Sequence, residues 1–176
     1  MPAEFFDDPG LPKFDVMEEV EIGDLSNVKE EKDLLPPTQD VVFVIKRAKI
    51  KANDDNTYRQ IGLQLNIENG IQVGDELKWK NKPMFQDVCY YADANKYTKD
   101  FFKKRQHLVA LTQLCSALGE DLKNVRLTDG FLMSLGGKRI KGTITQRMNS
   151  FTTKDGTQVN EMKNEIKNFK KADVNV

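Results

Sequence analysis

The chain has 176 residues, 27 basic and 27 acidic, with two cysteines and one histidine, and its formal net charge is zero. Such a length suits one domain with a real core plus an irregular extension, and would cramp two full domains. The longest uninterrupted apolar run, Val41 to Ile45, is far short of the roughly 20 residues that span a bilayer, so no transmembrane helix and no membrane partner are expected.

Residues 1–38 contain Pro2, Pro9, Pro12, Pro36 and Pro37 and few regularly spaced apolar residues, and read as an arm. Glu4, Asp7 and Asp8 stand where a secretory signal needs basic residues before an apolar stretch, so a cytoplasmic location is expected. Phe5, Phe6, Leu11, Phe14 and Val16 are candidate anchors of the arm on the body, and disorder is expected only for Glu18 to Lys32. The zero net charge conceals a division at Val41. Residues 1–40 hold three basic and twelve acidic side chains, a net of −9, whereas residues 41–176 hold 24 and 15, a net of +9. A basic body attracts polyanions, and an acidic arm on the same chain competes for that surface or recruits basic partners.

In VVFVIKRAKIK, from Val41 to Lys51, β-branched residues predict a strand with Val42, Val44, Ala48 and Ile50 on one face and Arg47, Lys49 and Lys51 on the other. Asn53 to Asn56 supply turn chemistry, and Arg59 to Ile67 then alternates with Ile61, Leu63, Leu65 and Ile67 inward, completing an antiparallel hairpin. Leu77 to Lys80 and Met84 to Tyr91 read as further extended segments, broken at Pro83. One long helix is expected from Thr98, as N-cap, to Leu118, with Phe101, Leu108, Leu111, Cys115 and Leu118 on its stripe and Gly119 as its stop. A shorter helical turn is expected over Asp129 to Leu135.

Strand period returns with Ile140, Ile144 and Met148 on one face and Arg139, Lys141, Thr143, Thr145 and Arg147 on the other. The Asp155-Gly156 turn sends Gln158 to Phe169 back as its partner. About five strands with one helix between the third and fourth is the order of an OB barrel, so the expected fold is mainly β: a five-stranded OB-like antiparallel barrel. The expected division is an arm over 1–38, an OB-like domain over 39–172 and a short tail over 173–176.

Residue inventory argues against catalysis. The one histidine, His107, falls within the expected long helix beside Lys103, Lys104 and Arg105, where no triad or metal cluster forms around it. Gly136-Gly137-Lys138 lacks the first glycine of a phosphate loop, since Leu132 stands there, and Arg139 replaces the Ser or Thr that would bind magnesium. Cys89 and Cys115 belong to no Cys-x-x-Cys pair and read as buried reduced thiols. No catalytic residue, metal or cofactor is therefore expected.

Single-stranded nucleic acid offers phosphates and exposed base faces, so a sequence-tolerant binder needs cations and aromatic rings together. The candidate cations are Arg47, Lys49, Lys51, Arg59, Arg139, Lys141, Arg147 and Lys154; those on the first and fourth strands are expected to form one continuous basic surface. The candidate rings are Tyr58, Trp79, Tyr90 or Tyr91, Tyr97 and Phe151.

The stretch FLMSLGGKRIKGTITQRMNSFTTKDGTQVNEMKNEIKNF, from Phe131, resembles the carboxy-terminal part of phage-encoded OB-fold single-stranded-DNA-binding proteins. In that family a short Leu-containing helix, here Leu132 to Leu135, leads to a Gly-Lys strand, here Gly137 to Arg147. A polar Asp-Gly loop, here Asn149 to Thr157, precedes a returning strand that bears Asn and ends in Phe, here Asn160 to Phe169. DVCYYADANK and FFKKRQHLVALTQLCSALG resemble its middle region, and the likeness covers about Val41 to Ala172. The sequence departs from bacterial-type relatives in ending on Lys170-Lys171-Ala172-Asp173-Val174-Asn175-Val176 rather than on an acidic tail. The resemblance implies protection of unwound strands in phage replication or recombination, with single-stranded DNA and a phage polymerase, helicase or recombinase as partners. An OB-like protein-interaction module of a phage assembly is the alternative expectation.

Overall fold

The structure is a computed structural model that describes Gly23 and residues 34–173. The candidate anchors between Phe5 and Val16, and the span Glu18 to Lys32 where disorder is expected, lie outside the described residues. The compact unit that carries the fold begins at Leu34.

Alternating apolar residues build β1 (Thr38–Ala52) and β2 (Tyr58–Ile67), which pair antiparallel. Their turn closes where Asn53 Oδ1 accepts from the Tyr58 amide at 2.8 Å and Asn56 takes the left-handed conformation, φ 58°, that Asn tolerates. A two-stranded ribbon of β3 (Ile71–Val73) and β4 (Glu76–Lys78) follows, and then β5 (Pro83–Ala92) pairs with β2. Three short helices come next: α1 (Asp100–Lys103), α2 (Val109–Ala117) and α3 (Asp129–Ser134), with a 3₁₀ turn over Gln106–Leu108. The Thr128 hydroxyl caps α3 by accepting from the Phe131 amide. Two long strands finish the chain: β6 (Arg139–Thr152) pairs with β1 and with β7 (Gln158–Lys171), all antiparallel.

The fold is thus mainly β with few helices, and its large sheet runs β5-β2-β1-β6-β7. It is not a closed barrel, because no ladder joins its edges β5 and β7 among the described residues. A side-chain hydrogen bond crosses that gap: the Ile166 amide of β7 donates to Gln86 Oε1 of β5 at 2.8 Å, and α2 packs on both strands. Val41, Phe43, Ile45, Ile61, Leu63, Leu65, Ile67, Val88, Ile140, Ile144 and Ile166 fill the inner face with Leu114 of α2 and Leu135. Leu35, within the span read as arm, is buried here as well. Its amide donates to Asn164 Oδ1 at 2.8 Å while Asn164 Nδ2 donates to its carbonyl at 2.9 Å, so one side-chain amide serves as a strand partner. No helix among the described residues is long and apolar enough to cross a membrane.

Three expected details are corrected. Val41, Phe43 and Ile45 face the core rather than Val42 and Val44, because a bulge at Lys46 shifts the register and inverts the phase of β1 halfway along. Ile50, beyond the bulge, is 44 % exposed. The single long helix from Thr98 to Leu118 is instead α1, a 3₁₀ turn and α2, since Arg105 adopts φ 57°, ψ 27°; Lys99 precedes α1 without a side-chain cap. Met148 does not join Ile140 and Ile144 in the core. β1 reaches β6 only as far as Ile144, so beyond it β6 and β7 extend as a two-stranded ribbon with Met148 exposed.

Candidate nucleic-acid interface

The bulge that buries Val41, Phe43 and Ile45 also sends Arg47, Lys49 and Lys51 to the outer face of the sheet. Directly opposite residues on neighbouring strands share a face, so Arg47, Gln64 and Phe85 form one row across β1, β2 and β5, and Lys49, Gly62 and Asp87 the next. Phe85 is 70 % exposed there, about 10 Å from the Arg47 backbone at two strand spacings. Lys51 crosses above Gly62 to Asp87, Nζ to Oδ1 2.8 Å. A Cβ on Gly62 would lie 2.9 Å from Lys51 Cε, so the missing side chain leaves this path open. Asp87 thereby neutralises Lys51, and Lys49, like Arg47 and Lys46, has no acidic partner among the described residues. Beside them, a shallow groove of about 620 Å³ separates Lys46 to Ile50 from Asp129, Leu132, Met133 and Gly136, with Met133 82 % exposed.

Arg139 and Lys141 pair across from Val44 and Val42, on the same outer face as Arg47 and Lys49 but on the other side of the bulge, so ion pairs of these two cations interrupt the basic surface expected from the first and fourth strands. Both cations are engaged. Arg139 grips Glu68 through Nε at 2.8 and 3.0 Å and Nη2 at 2.5 Å, and Lys141 bonds Asp173. Arg147 approaches Glu165 at 3.6 Å, which Lys167 also meets at 3.4 Å. Asp173 is held below the usual carboxylate range by the hydrogen bond from Lys141. Lys154 is exposed in the β6–β7 turn, near Phe151, which is 43 % exposed on the ribbon.

The other candidate rings are mostly occupied by the protein itself. Trp79 and Tyr90 pack against the core, and Trp79 sits at φ 60°. Tyr58 is half-buried with its ring 5.6 Å from Tyr97; burial, then a hydrogen bond with the Cys89 thiol, pushes its hydroxyl pKa up, so it stays protonated. Arg59 donates to Asn56 Oδ1 at 2.9 Å and lies 4.8 Å over the Tyr91 ring, and of the Tyr90/Tyr91 pair it is Tyr91 that is exposed, at 40 %. Cys89 and Cys115 are both buried and form no disulfide. His107 is held neutral-leaning by burial and by the Arg105 charge, and its Nδ1 is buried without a hydrogen-bond partner among the described residues.

Phe85 is absent from the sequence-derived candidates, yet the strand period contains it. Met84 and Val88 lie opposite the inward Leu65 and Ile61, which leaves Phe85 an aromatic residue at an outward position. Phe85, Arg47 and Lys49 therefore bring an open ring and two cations without an acidic partner among the described residues onto one face, an arrangement suited to a base and its flanking phosphates. Neither a protein-family model nor a curated protein matches the chain.

Proposed function

We propose that the protein binds single-stranded DNA without strong sequence preference and has no catalytic step of its own. The observation that carries this reading is Phe85, open to solvent in line with Arg47 and beside Lys49 on the outer face of β1, β2 and β5. A largely exposed Phe in a sheet loses apolar burial, and a stacked base restores it while the cations meet the phosphates. Two further features support an OB-like reading of the fold: the strand order β5-β2-β1-β6-β7, and helices placed between the third and fourth strands of that sheet. Protection and handing-on of unwound strands in phage replication or recombination is the role that agrees with this reading.

Fluorescence anisotropy with a labelled oligo(dT), a matched duplex and an RNA strand tests it. Phe85→Ala is expected to weaken oligo(dT) binding by roughly 5- to 150-fold, the equivalent of about 1 to 3 kcal/mol for one stacked base, and Phe85→Trp to retain it. Duplex binding is expected to be much weaker, because paired bases hide their faces. Equal affinity for duplex and single strand, or no effect of Phe85→Ala, overturns the proposal.

A further inference from the structure

The segment between β5 and α2 repeats the chemistry of the sheet patch, and the bland explanation of a solvated helix face does not cover its rings. Tyr97 rests on Tyr58, Phe102 on Tyr97 at 4.9 Å and His107 on Phe102 at 5.2 Å, so a ladder of aromatic side chains fixes the segment to the start of β2. Phe101 stands edge-on to Phe102, at 5.2 Å and 90°, and is 52 % exposed. A ring held in place this way loses little rotamer freedom when a base stacks on it.

Around Phe101 the chain places Lys99, Lys103, Lys104 and Arg105, all exposed and none with an acidic partner among the described residues. Arg105 takes the left-handed conformation, which ends α1 after one turn and reverses the chain into the 3₁₀ turn. A non-glycine residue in that conformation costs free energy, and here it keeps three successive cations on a tight exposed corner. Lys96, by contrast, is already tied to Asp55.

The corner continues the line of β5. Phe85 lies near the start of that strand in the row of Gln64, and Tyr58, at the same outward parity of β2 about 20 Å further on at strand rise, carries Tyr97 and with it Phe101 and its cations. We infer that residues Thr98 to Leu108 form a second single-stranded-DNA contact, taking a base on Phe101 and phosphates on Lys103, Lys104 and Arg105, so that a bound strand runs from the sheet patch along β5 to this corner. The inference rests on the proposed function and adds the path and extent of its site.

Binding of short and long oligo(dT), about 5 and about 20 nucleotides, brackets the site sizes of such folds and separates the two contacts. The charge-removing variant Lys103→Gln/Lys104→Gln/Arg105→Gln is expected to bind the short strand as the wild type does. It is expected to bind the long strand about tenfold more weakly at low salt, with log K against log salt shallower by roughly 2 for three lost phosphate contacts. Phe101→Ala is expected to show the same length dependence with no change of salt slope, which keeps the test open should the triple variant misfold. Phe85→Ala weakens both lengths. Equal weakening of both strands by the triple variant overturns the inference, since the cations then act only as a general field. Wild-type affinity and slope on the long strand overturn it too, while loss through Phe85→Ala alone leaves the proposed function standing. Absence of wild-type binding at both lengths overturns both.

Discussion

Gly142 is the position where this sheet has least room, and Gly142→Ala puts a number on it. The residue lies in β6 opposite Val41 of β1, fully enclosed. A Cβ there would stand 2.6 Å from Ile166 Cγ2 and 3.3 Å from Phe43 Cε2, and both neighbours are core residues, 2 % and 0 % exposed. Ile166 cannot simply step back, because its amide holds a hydrogen bond that crosses from β7 to Gln86 of β5. Overpacking of a filled core costs about 1–3 kcal/mol, against which the stiffer unfolded chain of an alanine variant returns about 0.4–1 kcal/mol. The net expectation is a loss of about 1–2 kcal/mol, or a midpoint lower by roughly 3–6 °C for a body of this size. Urea denaturation measures it as a lower midpoint with an unchanged slope. Ile166→Ala made in the Gly142→Ala background should cost about 1 kcal/mol less than in the wild type, since the clash it relieves exists only there. An alanine variant as stable as the wild type, or strictly additive mutations, would refute this account of the gap between β5 and β7.

Two further outcomes are expected. Arg139→Gln should lower the urea midpoint, by breaking the grip on Glu68, yet leave the salt slope of oligo(dT) binding unchanged, whereas Arg47→Gln/Lys49→Gln should make that slope shallower by roughly 1.4; the reverse pattern would return the interface to the start of β6. Asp55 has its pKa lowered to about 2 by hydrogen bonds from Lys96 and Thr57, so its contribution to stability is present above about pH 4 and is lost as the pH falls towards 2. Asp55→Asn should therefore flatten the fall of the thermal midpoint between pH 4 and pH 2, and an unchanged pH profile would place the acid sensitivity elsewhere.

Much of this architecture is legible in the sequence because strand period is a local property. The alternation of Ile61, Leu63, Leu65 and Ile67 allows one register, and the Asn-rich and Asp-Gly turns allow few others. The phase of β1 is not legible, since a bulge inserts one unpaired residue and Lys46 carries no mark of it; both Val42-Val44 and Val41-Phe43-Ile45 satisfy period two. The broken helix escapes for a similar reason. The stripe drawn through Phe101, Leu108, Leu111 and Cys115 ignores the left-handed turn at Arg105, a residue with no special propensity for it, and so Phe101 moves from expected core to exposed corner. The site suffers most from partners distant in sequence. Arg139 and Glu68 are 71 residues apart, and nothing local shows that this cation is already engaged.

Charge pairing, more than charge number, then decides where a polyanion would lie. Arg139, Lys141, Arg147, Lys163, Lys167 and Lys170 on β6 and β7 each have a carboxylate within ion-pair range, from Glu68, Asp173, Glu165, Glu161 or Asp40. At the separations seen, each acid cancels most of the field of its cation beyond one Debye length, about 8 Å at physiological salt. The same surface would also have to release those acids before it could hold phosphates, so binding there would exchange one ion pair for another with little gain. Lys46 at the bulge and Arg47 and Lys49 past it, and Lys103, Lys104 and Arg105 at the helical corner, have no such partners among the described residues, and each group stands beside an exposed phenylalanine. A strand that follows the uncompensated charge therefore also follows the open rings, and the coincidence of the two at both ends of β5 is what sets a direction for the proposed path.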